Sequence, residues 1–191
     1  MIKYTKERDS IKGIYVLLTD TDTIFSQVIK KFTSAPYNHA SLALDKELNE
    51  LFSFGRKQVN NPIDAGFVKE NVYEGTYKYY PNTRCILLRL YVTKEQHDLA
   101  RCIIQDFQMK EDSYSYNLIG LLSIILKLNL APKNSYFCSQ FVAEVLRGMG
   151  ISLWEQPCAR ITPNDFFFIL HLKKFMMFCY TNILYWTRQC L

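Results

Sequence analysis

The apolar positions along this chain follow two rhythms, one of strands and one of helices. Ile14 to Leu18 is an unbroken apolar run of strand-forming residues, closed by a Thr/Asp cluster, and it reads as a buried strand. Ile24, Phe25, Val28, Ile29 and Phe32 then recur at helical spacing, with Asp20 or Asp22 placed to cap the first turn. That pattern stops at Ser34-Ala35-Pro36. Ala40 to Leu44 and Leu51 to Phe54 flank the turn residues Asp45 to Asn49, which predicts an antiparallel hairpin. Asn60 to Gly66 contains Asn-Asn-Pro and a glycine and predicts a loop.

The second half is richer in helix. Arg84 to Val92 carries the strongest strand signal of the chain. Thr93 with Gln96 three residues on forms a capping-box pattern, opening a helix to about Lys110 with Leu99, Ile103, Ile104 and Phe107 on one side. Tyr116 to Leu128 predicts a second, more apolar helix, and Pro132 to Ser135 breaks the chain. A third helix runs from about Tyr136 to Arg147 and ends at Gly148-Met149-Gly150. Thr162-Pro163 starts a short fourth helix, with proline in its first turn. Phe175 to Tyr180 and Ile183 to Trp186 predict terminal strands. Strands and helices fall in segregated groups, without repeats or a long polar linker, so the expected architecture is α+β in one domain spanning residues 1–191.

Composition narrows the class. Hydrophobic residues make up 49% and charged residues 21%, which excludes a disordered or collagen-like chain. Aromatics reach 15%, so a large aromatic core or an aromatic-lined groove is expected. The net charge of +5 is spread along the chain rather than gathered in a basic stripe, and no nucleic-acid partner is expected. The longest apolar stretch, Leu118 to Leu126, is too short for a membrane span, and the opening residues lack an export signal. The expected location is the cytoplasm, with free thiols. The six cysteines show no Cys-x-x-Cys pair and no zinc-finger spacing to a histidine, so no metal and no cofactor is expected.

The three histidines and six cysteines can each be weighed. His97, among polar residues early in an amphipathic helix, reads as a solvated surface residue. His171 ends the fourth helix, where the dipole favours an imidazole. His39 differs, because a Pro-containing turn delivers it to the mouth of a strand, where backbone on both sides can aim it. Cys85 and Cys102 fall on an apolar strand and an apolar helix face and read as small buried hydrophobes. Cys138 stands in the first turn of the third helix, where unpaired N–H groups and the positive end of the dipole stabilise a thiolate. It is also in register with Val142, Val145 and Met149, so a core role fits its position equally. Taken together, a cysteine at a helix start and a histidine at a strand mouth are the parts of a Cys–His hydrolase.

Tyr37-Asn38-His39-Ala40-Ser41-Leu42-Ala43-Leu44, followed far downstream by Tyr136-Phe137-Cys138-Ser139-Gln140-Phe141-Val142-Ala143-Glu144, resembles the circularly permuted papain-like cysteine hydrolases. These are the YiiX/YaeF-like relatives of NlpC-type amidases, in which the His strand precedes the Cys helix. The resemblance takes in the Ile14 strand, Phe52-Ser53-Phe54-Gly55 and Ile161-Thr162-Pro163-Asn164-Asp165-Phe166. It implies an antiparallel sheet packed against helices, with Cys138 as nucleophile at a helix N-terminus and His39 as general base. The backbone N–H of Cys138 would form part of the oxyanion site. A third polar residue on the following strand would orient the imidazole. With the hairpin turning near Lys46, Ser53 is its candidate by geometry and Glu50 by chemistry.

The activity so implied is hydrolysis of a small amide-containing substrate, such as a cell-wall peptide fragment, through an acyl-thioester. A second reading is a lipid-directed acyl hydrolase or acyltransferase similar to the lecithin–retinol acyltransferases, acting on an ester, with Leu118 to Leu126 and the aromatic tail in peripheral contact with lipid. A third is a binding module that keeps the pocket without a full triad.

Overall fold

The computed structural model describes residues 11–21, 35–58, 61–116, 135–172 and 177–180. The helix expected over residues 24–32, the second helix past Tyr116 and the strand at 183–186 lie outside these residues. The apolar run at the start of the chain becomes strand β1 (Ile11–Asp20), and Ile14 to Leu18 are buried on both faces of the sheet. The predicted hairpin forms from β2 (His39–Ala43) and β3 (Leu51–Gln58). Next come β4 (Asn61–Glu70), helix α1 (Gly75–Tyr79) and β5 (Arg84–Thr93). Helix α2 (Lys94–Met109) follows directly. A two-stranded parallel pair, β6 (Ser115–Tyr116) with β7 (Ser135–Tyr136), leads into helix α3 (Cys138–Gly148). Helix α4 (Pro163–Leu172) and strand β8 (Met177–Tyr180) complete the described chain.

Among the described residues the main sheet has six strands in the order β4-β3-β2-β1-β5-β8, and every pairing among them is antiparallel. The α+β expectation holds. β1 lies inside the sheet because it is apolar on both faces. It pairs with β5 from Ile11↔Thr93 to Asp20↔Arg84 and with β2 from Tyr15↔Ala43 to Thr19↔His39.

Strand β4 corrects the loop expected at Asn60 to Gly66. Asn61 and Pro62 open an edge strand, where proline's missing N–H costs no interior hydrogen bond. Gly66 sits within it, paired with Gly55. The turn signals are real, but the tertiary pairing with β3 overrides them.

Helices α2 and α3 cover one face of the sheet. Leu42, Phe52, Phe54, Leu88, Ile104, Phe141 and Val142 belong to the core between them. The capping box predicted at Thr93 is present: the Gln96 N–H donates to Thr93 Oγ1 at 3.2 Å, and the Thr93 N–H donates to Gln96 Oε1 at 3.1 Å. At α4, Thr162 and Asp165 make the same reciprocal cap, so this helix starts where Thr162-Pro163 predicted. α3 begins two residues later than expected and is followed by Gly150 at φ 83°, a left-handed conformation that glycine adopts without steric cost. A smaller apolar cluster on the other face includes Leu17, Leu51, Val72, Tyr77 and Leu87. No described helix is long and apolar enough to cross a membrane.

Candidate active site

Three elements converge at one end of β2. His39 is the first residue of that strand and Cys138 the first of α3, whose buried face packs on β2 and β3. The His39 imidazole and the Cys138 sulfur are near enough to shift each other's ionisation, and the Ala40 backbone N–H acts on the sulfur as well. His39 Nε2–H donates to Glu70 Oε1 at 2.7 Å, which leaves Nδ1 for the sulfur. Cys138, His39 and Glu70 therefore stand in a relay of thiol, imidazole and carboxylate. The His39 and Glu70 side chains are 18% and 13% exposed, and Cys138 is 4% exposed, so the relay is largely shielded from water.

Glu70 is held from behind as well. Ser41 Oγ donates to Glu70 Oε2 at 2.6 Å, and the Tyr77 hydroxyl donates to the same oxygen at 3.0 Å. With His39, that makes three donors on one carboxylate, the arrangement that keeps a buried acid ionised.

Electrostatics follow from this geometry. Burial pulls the His39 imidazole down, but Glu70 and then Cys138 outweigh it and hold the ring well above the ordinary histidine value. Burial pushes the Cys138 thiol up, yet the imidazolium, its hydrogen bond and the Ala40 and Ser139 backbone N–H groups bring it below the ordinary thiol value. Burial likewise raises Glu70, and His39, Ser41 and Tyr77 together lower it. The two reacting groups are displaced in opposite directions, which favours a thiolate–imidazolium pair over two neutral groups.

The third member of the relay is neither residue expected from sequence. The hairpin closes through Asp45 to Glu50, with Leu44 N–H donating to Glu50 O at 3.1 Å and Leu48 at φ 62°. Its register is Leu42↔Phe52 and Ala43↔Leu51, which, continued along the strands, brings Gly55 opposite His39. A turn centred near Lys46 would have brought Ser53 or Phe54 there.

Ser53 is buried and donates its hydroxyl to Ala40 O at 2.7 Å, a backbone tie rather than an imidazole contact. Glu50 forms a two-point ion pair with Arg101 of α2, one arm at 2.7 Å. The Arg101 hydrogen bond, against a small burial effect, keeps its carboxyl below the usual range. Glu50→Gln is therefore expected to leave the alkylation rate of Cys138 unchanged. Stability should fall by no more than about 1 kcal/mol in urea melts, since the pair is partly exposed.

Glu70 lies on the next strand out and must reach across β3 to touch His39. Two small residues permit this. Ser53 pairs with Val68 and Gly55 with Gly66, so β3 offers no bulky side chain beneath the bridge. A Cβ on Gly55 would lie 3.6 Å from His39 Cε1 and 3.9 Å from Glu70 Oε1, so anything larger than a methyl group would enter the bridge. The sequence signal for Glu70 was slight: an acid closing the stretch Phe67-Val68-Lys69.

The other candidates sort cleanly. His97 is not merely solvated, because its Nε2 meets Leu44 O at 3.0 Å and ties α2 to the hairpin turn. Cys85 is buried as expected, while Cys102 is exposed, because its place on α2 faces away from the sheet. Cys158 is buried and pushed up to about 11, chiefly by burial and then by Glu144, so it is a poor nucleophile beside Cys138. Among the described residues no three of His, Cys, Asp or Glu are grouped as a metal site. A cavity of about 310 Å³ opens on the turn side of Glu70, lined by Glu47 to Asn49 and Lys69 to Tyr73, and does not reach the sulfur.

Comparison with protein-family models, curated proteins and solved structures returns no match to this chain. The site is read from its own geometry.

Proposed function

We propose that this protein is a cysteine hydrolase of the circularly permuted papain-like type, cleaving an amide bond of a small substrate through an acyl-thioester. The observation that supports this most directly is the relay from Cys138 at the start of α3 through His39 to Glu70. A merely structural cysteine has no need of an imidazole whose far nitrogen is bound to a buried, triply hydrogen-bonded carboxylate.

In the proposed reaction the Cys138 thiolate attacks the carbonyl carbon, and the carbonyl electron pair moves to oxygen. α3 has no side-chain cap at Phe137, so N–H groups of its first turn, that of Cys138 included, are available to the developing oxyanion. Each such donor contributes about 3 kcal/mol. The His39 imidazolium gives its proton to the leaving nitrogen, which departs as amine and leaves a thioester. Neutral His39 then takes a proton from water, and the resulting hydroxide attacks the thioester. The acid is released and the thiolate restored. Glu70 keeps the ring oriented and stabilises its cationic form.

Limiting iodoacetamide at about pH 6, well below the usual thiol value of about 8.5, tests the resting state. The expected result is rapid modification of Cys138 alone; uniform slow labelling of the cysteines would end the proposal. Mass spectrometry of the trapped acyl-enzyme, with peptide amides against phospholipid esters, then reads the substrate class.

Glu70→Gln keeps the shape of the side chain but removes its charge. Folded His39 then loses its main support and falls, and Cys138 rises with it. The acid limb of the alkylation profile is expected to move to higher pH by about one unit or more. An unmoved limb would mean that Glu70 has no part in the chemistry.

A further inference from the structure

His39 is the last residue of β2 still paired with β1, opposite Thr19, and such a terminal position is where strands fray. Here the fray is blocked by the preceding residue. The Asn38 backbone N–H donates to Thr19 O at 3.0 Å, extending the ladder by one bond. Its side-chain Nδ2 donates to Asp20 Oδ1 at 2.8 Å. Its Oδ1 receives two longer contacts from Thr21, from the N–H at 3.5 Å and the hydroxyl at 3.4 Å. Asn38 thus uses both halves of its amide to bind the end of β1.

Asp20 is itself fixed. Its side chain is 2% exposed, and its Oδ2 accepts from Arg84 Nε at 3.1 Å and from Arg84 Nη2. Arg84 stands opposite Asp20 in the β1–β5 ladder. A line of polar contacts therefore runs from β5 through the end of β1 to the residue before His39. These contacts also tie the end of β1 directly to the residue before β2.

We infer that Asn38, braced by Asp20 and Arg84, is a positioning residue that holds the His39 ring in line between Cys138 and Glu70. This rests on the hydrolase reading of the same site. Asn38 touches neither sulfur nor imidazole in any described contact, so it acts through the backbone of its neighbour. The 2.7 Å bond from Nε2 to Glu70 and the proximity of the ring to the sulfur impose two constraints on one ring. Both are met only while the Cα of His39 stays in register with Thr19. The charged or titratable groups facing the ring are Glu70 from β4 and Cys138 from α3, with Tyr77 from α1 behind Glu70. None of these is altered by a change at Asn38.

The test is the pH dependence of Cys138 alkylation by iodoacetamide, measured on the full chain beside thermal melts. Asn38→Ala is expected to shift the acid limb up by about one unit and to slow labelling at about pH 6 roughly tenfold. Asp20→Asn keeps an acceptor for the Asn38 amide, so its limb should stay near that of the unaltered protein even if its melting point falls. A lowered melting point with an unmoved limb in Asn38→Ala would show a stability role only and overturn the inference. So would a limb displaced equally by both substitutions.

If Asn38→Ala does not fold, Asn38→Ser takes its place, since its short hydroxyl cannot reach both Asp20 and Thr21 as the amide does. Its limb should move in the same direction by less, and no movement overturns the inference. The hydrolase reading fails separately: it falls if the unaltered protein shows no depressed limb at all.

Discussion

Replacing His39 by alanine is expected to slow the proposed hydrolysis by about 10²–10⁴-fold, the usual worth of a general acid–base group. Two losses combine. The leaving nitrogen has no proton donor, and Cys138 loses the cation that offsets its burial. Labelling at about pH 6 should then fall to the level of an ordinary thiol near 8.5 or below it, because the sulfur remains buried. The pH profiles of the unaltered protein supply the sign. Cys138 is lowered, so alkylation is lost only as pH falls through that depressed value. His39 is raised, so hydrolysis declines again as pH climbs through the elevated imidazolium value while alkylation persists. A bell for turnover and a single step for alkylation are expected, and His39→Ala should erase the depressed acid limb of both. If the rate is unchanged in His39→Ala, another base serves the sulfur.

The second large effect concerns stability. Phe54 is fully buried and meets Tyr136 at 5.1 Å, Phe141 at 5.6 Å, Phe67 at 5.8 Å and Phe107 at 5.9 Å between ring centroids. One ring thus links β3, β4, α2, β7 and α3. Phe54→Ala is expected to cost about 3–5 kcal/mol, through lost burial and the cavity left behind. For a chain of this size that corresponds to a fall of about 6–20 °C in melting temperature. Calorimetry checks it, with Phe168→Ala as the control: that ring is 56% exposed, and its loss should change stability by less than about 0.5 kcal/mol. Phe54 precedes Gly55 on β3 and packs on α3, so the folded fraction should also show slower Cys138 labelling. A core contact and the chemistry share these elements.

Much of this was legible beforehand, for reasons that can be named. Ile14 to Leu18 and Arg84 to Val92 are long apolar runs of strand-forming residues, and α2 declares itself through Thr93 and Gln96; local chemistry suffices for such elements. His39 and Cys138 were legible because a helix start and a strand mouth have distinctive chemistry. Glu70 was not, since its role depends on reaching over β3, and nothing local marks that. A hairpin register shifted by one or two residues was enough to point to Ser53, which sits beneath the bridge rather than in it. Glu50 was the better partner by chemistry, but it faces α2, where Arg101 satisfies it. β4 was hidden by its proline and glycine, which favour a loop unless a partner strand supplies the pairing.

The order of the relay along the chain has a consequence for biogenesis. The imidazole and its carboxylate leave the ribosome before the sulfur, which comes much later, on a helix that must dock against strands already made. A partly synthesised chain therefore holds a base with no nucleophile. A complete but undocked one holds a thiol with ordinary reactivity. The perturbed thiol arises only when that helix docks, so the reactivity of a single cysteine becomes a direct reporter of this closure.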